Sequence, residues 1–143
     1  MTRSSLLSAK YHTPTGNGET VPEYYESTVC IESRNWPGVR FKVLRMSLLR
    51  RHRLMQELTA LAAKQQFHAA GPAPQDEIAA AELRGRIDQQ LIRSALTEIE
   101  GLSIDGEPAS VESLLEAGPE DLANEIAEAI TGESFLSEDE RKN

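Results

Sequence analysis

The sequence predicts a mainly α fold: a helical hairpin plus smaller C-terminal helices, with a short β-hairpin near the N-terminus. Three observations point there. Two long stretches carry apolar residues at helical spacing, and Gly71-Pro72-Ala73-Pro74 separates them. Residues 39–44 alternate apolar and basic side chains, the period of a half-buried strand. Aromatic residues make up only 5% of the chain, so a core must be built from Leu, Ile, Val and Ala, as in a helical bundle.

Residues 1–27 are rich in Ser, Thr, Pro, Gly and Asn, as in Thr13-Pro14-Thr15-Gly16-Asn17-Gly18, and show no apolar period. They read as a flexible polar N-terminal arm, with room for a short strand only at Tyr24-Tyr25. Residues 28–136 read as a single mostly helical domain. Thr28-Val29-Cys30-Ile31 and Val39 to Leu44 are the strands, and Asn35-Trp36-Pro37-Gly38 is the turn between them. An isolated hairpin is barely stable in water, so this one must lie on a helix or pair with another chain.

Ser47 is placed as the N-cap of a helix running to His68–Ala70, with Leu54, Met55, Leu58, Leu61 and Ala62 on one face. A second helix opens at Asp76 and Glu77, where acids suit the positive end of the dipole. In it Leu83, Ile87, Leu91 and Ala95 step by four, flanked by Ile92, Leu96 and Ile99, and Gly101 is the expected stop. The short link makes the pair an antiparallel hairpin.

Leu102-Ser103-Ile104 followed by Asp105-Gly106 is a strand-and-turn signal, and Pro108 keeps the return strand short. Ser110 caps a short helix, Val111 to Ala117, stopped by Gly118. Pro119 suits the first turn of a last helix in which Leu122, Ile126 and Ile130 step by four and which Gly132 is expected to end. Ser137-Glu138-Asp139-Glu140 has capping-box spacing, but residues 137–143 leave too little chain for a helix and read as a frayed acidic and polar tail.

A chain of 143 residues fits one domain. The only cysteine is Cys30, so there is no internal disulfide, and a small buried residue in a strand is its expected role. A lone thiol, no signal-peptide pattern and no apolar run of about 18 residues point to a cytoplasmic protein that does not enter membranes.

Signals for chemistry are lacking. His12, His52 and His68 are far apart, and none stands at zinc-ligand spacing with another histidine or with Cys30. There is no phosphate-binding glycine loop and no nucleophile elbow. The acid pairs Asp76/Glu77, Glu120/Asp121 and Glu138/Asp139 sit at helix starts, where the dipole accounts for them. Asp105-Gly106-Glu107 is too poor in carboxylates for a calcium loop. No catalytic residue, metal or cofactor is expected, and the chain reads as a binding protein rather than an enzyme.

Charge is the informative feature. The net charge is −8, which opposes general nucleic-acid binding. Yet Arg34, Arg40, Lys42, Arg45, Arg50, Arg51 and Arg53 occur with no acid among them, and the chain is acidic from Glu98 onward. Arginines in the first turns of the helix opened by Ser47 oppose its dipole. Three readings stand: a solvated face or pairing with the chain's own acidic half, a docking surface for an acidic partner or a second copy, and a basic segment Arg45–Arg53 used by a small nucleic-acid-associated regulator. On the docking reading, Arg45, Arg50, Arg51 and Arg53, with Phe41 and Val43 on an open hairpin edge, are the partner-binding residues.

The chain also resembles a family. Trp36-Pro37-Gly38 leads to Val39-x-Phe41-x-Val43, then Arg45-Met46-Ser47 and Arg50-Arg51 opening a helix. Later come Gly101-Leu102-x-Ile104-Asp105-Gly106-Glu107-Pro108, Gly118-Pro119-Glu120-x-Leu122 with Glu125-Ile126, and the ending Leu136-Ser137-Glu138-x-Glu140-Arg141-Lys142-Asn143. Over roughly residues 28–143 this is similar to the tail assembly chaperones of long-tailed bacteriophages and prophages. The resemblance implies a small helical protein of the host cytoplasm, absent from the mature particle. It implies a protein that coats the tape-measure protein, helps recruit tail-tube subunits and has no enzyme activity or cofactor. Self-association to a homo-oligomer is expected with it. Many such chaperones have a longer frameshifted form, and Lys142-Asn143 can be encoded by a slippery A-rich heptamer, so Asn143 is expected to end a short form.

Overall fold

The computed structural model describes residues 22–135. The tail expected at 137–143, its capping box and most of the N-terminal arm lie outside them. Residues 22–26 contain no strand, so Tyr24-Tyr25 does not form one. In chain order the elements are β1 (Thr28–Glu32), β2 (Arg40–Leu44), α1 (Leu48–Ala69), α2 (Pro74–Ala95), β3 (Leu96–Glu100), β4 (Ser103–Ile104), β5 (Glu107–Pro108), α3 (Val111–Ala117) and α4 (Glu120–Phe135). The fold is mainly α, with a helical hairpin and a small antiparallel sheet.

Local signals set most element boundaries. The Ser47 side chain accepts from the Arg50 N–H at 3.2 Å and starts α1. In the link, Asp76 accepts from the Ala73 N–H at 3.3 Å and lies 3.0 Å from His68 Nδ1, tying the end of α1 to the start of α2. Asp105 and Gly106 both have positive φ, 52° and 85°, as a tight β4–β5 turn requires. Ser110 and Ser113 cap α3 reciprocally.

Two expectations fail for tertiary reasons. The second helix does not run to Gly101; it stops at Ala95, and Leu96–Glu100 continues as β3. There it pairs with β2, Phe41 opposite Ile99 and Arg40 opposite Glu100, giving a three-stranded sheet of order β1-β2-β3. The spacing of Leu96 and Ile99 suits a helix, but the open edge of β2 offers a ladder of hydrogen bonds to a segment some fifty residues away. The strand also places Glu100 3.0 Å from Arg40 and Glu98 3.6 Å from Lys42. Gly132 does not end the last helix, which continues through it to Phe135. Packing of Ile130 and Ser134, both almost fully buried, holds the turn that glycine alone would weaken.

The core lies between the sheet and the helices. Val39, Phe41 and Val43 meet Leu91, Ile92 and Ala95 of α2 and Leu122, Ile126 and Ile130 of α4 in one cluster. The β1–β2 turn is clamped to α4. Ser33 Oγ donates to Glu125 Oε1 at 2.7 Å, the Arg34 N–H donates to Oε2 at 2.7 Å, and Trp36 Nε1 donates to Asp121 at 3.2 Å.

Candidate functional site

The fold divides the basic stretch in two. Its first part is neutralised by the acidic half of the chain: Arg34 by Glu125 and Glu128, Arg40 by Glu100, Lys42 by Glu98. Among the described residues, Arg45, Arg50, Arg51 and Arg53 have no acidic partner within salt-bridge distance. Arg50 is engaged in another way: its guanidinium donates to the carbonyls of Ser27 and Arg45, both at 3.0 Å, and staples the end of the sheet to α1. Arg45 donates to the Thr28 carbonyl at 3.5 Å and lies 6.0 Å from the Tyr25 ring.

The apolar members expected in the same surface are elsewhere. Phe41 is 1% exposed and Val43 is 0% exposed. β2 is the central strand, so neither of its edges is open to another chain, and the face that bears Phe41 and Val43 is buried. Their alternation with basic residues marks an inner and an outer face, not an edge. Cys30 is also corrected: it is exposed, because in edge strand β1 it is Val29 and Ile31 that pack toward the core.

The exposed apolar residues that replace them lie on α1. Leu48 is 92% exposed, Leu49 55% and Met55 51%, interleaved with Arg51, His52 and Arg53. Met55 therefore lies outside the buried face it was expected to join. Leu48, Arg51, Met55, Leu58, Ala62 and Gln66 step by three or four and form one stripe. The far part of that stripe enters a groove of about 690 Å³ bounded by α1 and α4 and floored by α2, where Ile87 and Leu91 face it. α1 and α4 each pack on α2 but not substantially on each other, which leaves the groove open. Its far wall is Ala127, Thr131 and Phe135 of α4, residues that sequence periodicity presents only as a helix face.

This surface offers apolar contact, with Arg51 and Arg53 along the start of α1 and with Arg84, Asp88 and Glu128 lining the groove. Among the described residues no group of three or more His, Cys, Asp or Glu is placed to hold a metal ion. None of their helices is long and apolar enough to cross a membrane. The groove has a form that suits a helix: walls from α1 and α4 and a floor on α2 where Ile87 and Leu91 stand beside Arg84 and Asp88. No family model, curated protein or solved structure matches the chain.

Proposed function

We propose that this chain is an assembly chaperone of the kind that serves long-tailed phages. On this reading it holds helical segments of the tape-measure protein, helps bring tail-tube subunits to them, and acts by binding alone. The observation that supports the reading most is the open groove between α1 and α4, extended along α1 by Met55, Arg51 and Leu48. Its occupant is an amphipathic client helix. Apolar side chains at helical spacing meet Leu58, Ile87 and Leu91, and an acidic edge meets Arg51. The sequence resemblance from the Trp36-Pro37-Gly38 turn onward points the same way.

The test is co-purification with tape-measure fragments, using Arg51→Glu combined with Ala62→Glu, which leave the buried core and the Arg50 staple in place. Loss of capture with unchanged circular dichroism supports the reading. Capture that survives both changes, or no capture by the wild-type chain, overturns it. Salt-sensitive retardation of DNA at moderate ionic strength would instead favour the nucleic-acid reading of Arg45–Arg53.

A further inference from the structure

The sheet has two edge strands, β1 and β3, and the outer side of β1, which pairs with no strand among the described residues, is suited to pair with itself. β2 hydrogen-bonds to β1 through Ser27 and Ser33: the Ser27 carbonyl accepts from Arg45 at 2.8 Å and the Ser33 N–H donates to Val39 at 2.9 Å. The intervening register is regular, Thr28 opposite Leu44 through Glu32 opposite Arg40. Odd-numbered residues of β1 therefore spend their backbone groups on β2. The N–H and C=O groups of Thr28, Cys30 and Glu32 point away from the sheet. β1 has no proline, no lysine and no bulge; its one charged side chain is Glu32, and its Thr28 carbonyl accepts from Arg45 at 3.5 Å. Val29 and Ile31 are half-buried, and no strand lies beyond them among the described residues.

We propose that the protein forms a two-fold dimer in which β1 pairs antiparallel with the partner's β1, centred on Cys30. Of the two-fold registers, this one engages the whole of Thr28–Glu32. Each outward N–H and C=O of Thr28, Cys30 and Glu32 finds a counterpart, and the sheet becomes continuous through both subunits. Val29 comes beside the partner's Ile31 and completes an apolar row. The register also pairs charges left single in one subunit. Thr28 stands opposite the partner's Glu32, and the Arg45 guanidinium already sits on the Thr28 carbonyl, on the outer side of the strand. Glu32 makes no ion pair among the described residues, and neither does Arg45, so each subunit supplies both halves of a reciprocal contact. This inference does not depend on the chaperone reading: the groove between α1 and α4 lies on other elements.

The register places Cys30 directly opposite the partner's Cys30 as a hydrogen-bonded pair, with Cα atoms about 5.5 Å apart. That separation suits a disulfide. The test uses the full chain in two measurements. Under reducing conditions, sedimentation equilibrium is expected to give a dimer. Cys30→Lys, which sets two cations face to face, is expected to give a monomer of unchanged helicity. Glu32→Arg and Arg45→Glu are each expected to weaken the dimer by about tenfold, and the two together to restore it. In the second measurement diamide takes two electrons and two protons from two Cys30 thiols, leaving one S–S bond between subunits. The wild-type chain is expected to cross-link at concentrations where a monomer would not. A monomeric wild-type chain, a dimer indifferent to Cys30→Lys, or charge reversals that do not rescue one another would overturn the proposal.

Discussion

The hydroxyl of Ser33, in the turn after β1, donates a 2.7 Å hydrogen bond to the carboxylate of Glu125 in α4, 92 residues further along the chain. Glu125 is 6% exposed, and its second oxygen accepts the Arg34 N–H. One buried carboxylate thus fixes the angle between the sheet and the last helix. That angle carries α4, the far rail of the groove.

Replacing Glu125 by alanine leaves Ser33 Oγ and the Arg34 N–H without their charged acceptor. Hydrogen bonds to charged groups contribute about 1.5–3 kcal/mol, so Glu125→Ala is expected to lose about 2–3 kcal/mol in urea denaturation. Glu125→Gln keeps one acceptor oxygen and is expected to lose less.

Gly101 has φ of 84°, and a Cβ built there collides with the carbonyl oxygen of Gly38. Gly38 closes the turn that carries Trp36. Gly101→Ala combines a left-handed backbone with that collision and is expected to cost at least ~2 kcal/mol. Gly85→Ala is the control: nothing lies within 4 Å of its Cβ position, and the change is expected to stabilise α2 slightly.

Asp88, on α2 and lining the groove, is held above the usual carboxylate range. Burial raises it most; Arg84 opposes the shift and Glu128 adds to it. The folded protein therefore retains a proton on Asp88 at pH values where the unfolded chain has released it. Its contribution to stability falls as pH rises from about 4 through the raised value. Asp88→Asn is expected to raise the melting temperature at pH 7, with the advantage shrinking toward acid. A pH series of melting curves for both proteins checks the sign.

Ser134 is fully buried in α4, and its hydroxyl has no hydrogen-bond partner among the described residues. An unsatisfied buried hydroxyl is unfavourable by about 1–3 kcal/mol. Ser134→Ala is expected to gain on the order of 1 kcal/mol in chemical denaturation.

Much of the local structure is legible in the residues themselves. Ser47 and Ser110 begin helices because their hydroxyls satisfy N–H groups that the helix cannot. Pro72 follows the end of α1 because proline has no N–H to continue a helix, and Asp105-Gly106 turns the chain because few other residues accept those positive φ angles. The candidate surface was only partly legible. Arg45, Arg51 and Arg53 stand out by charge, but Phe41 and Val43 differ from surface residues only in what covers them.

Sequence by itself determined the helical hairpin, its caps and turns, and the separation of basic from acidic residues along the chain, because these depend on neighbours within a turn or two. Tertiary structure decided that Leu96–Glu100 leaves the helix for the edge of β2, and that Arg34, Arg40 and Lys42 are neutralised while Arg51 and Arg53 meet no acid among the described residues. It also decided that Cys30 faces outward and that α1 and α4 stand apart over α2. Each of those outcomes is a competition for a hydrogen bond, a counter-charge or a buried face between segments remote in sequence, and it is settled only when the chain has brought them together.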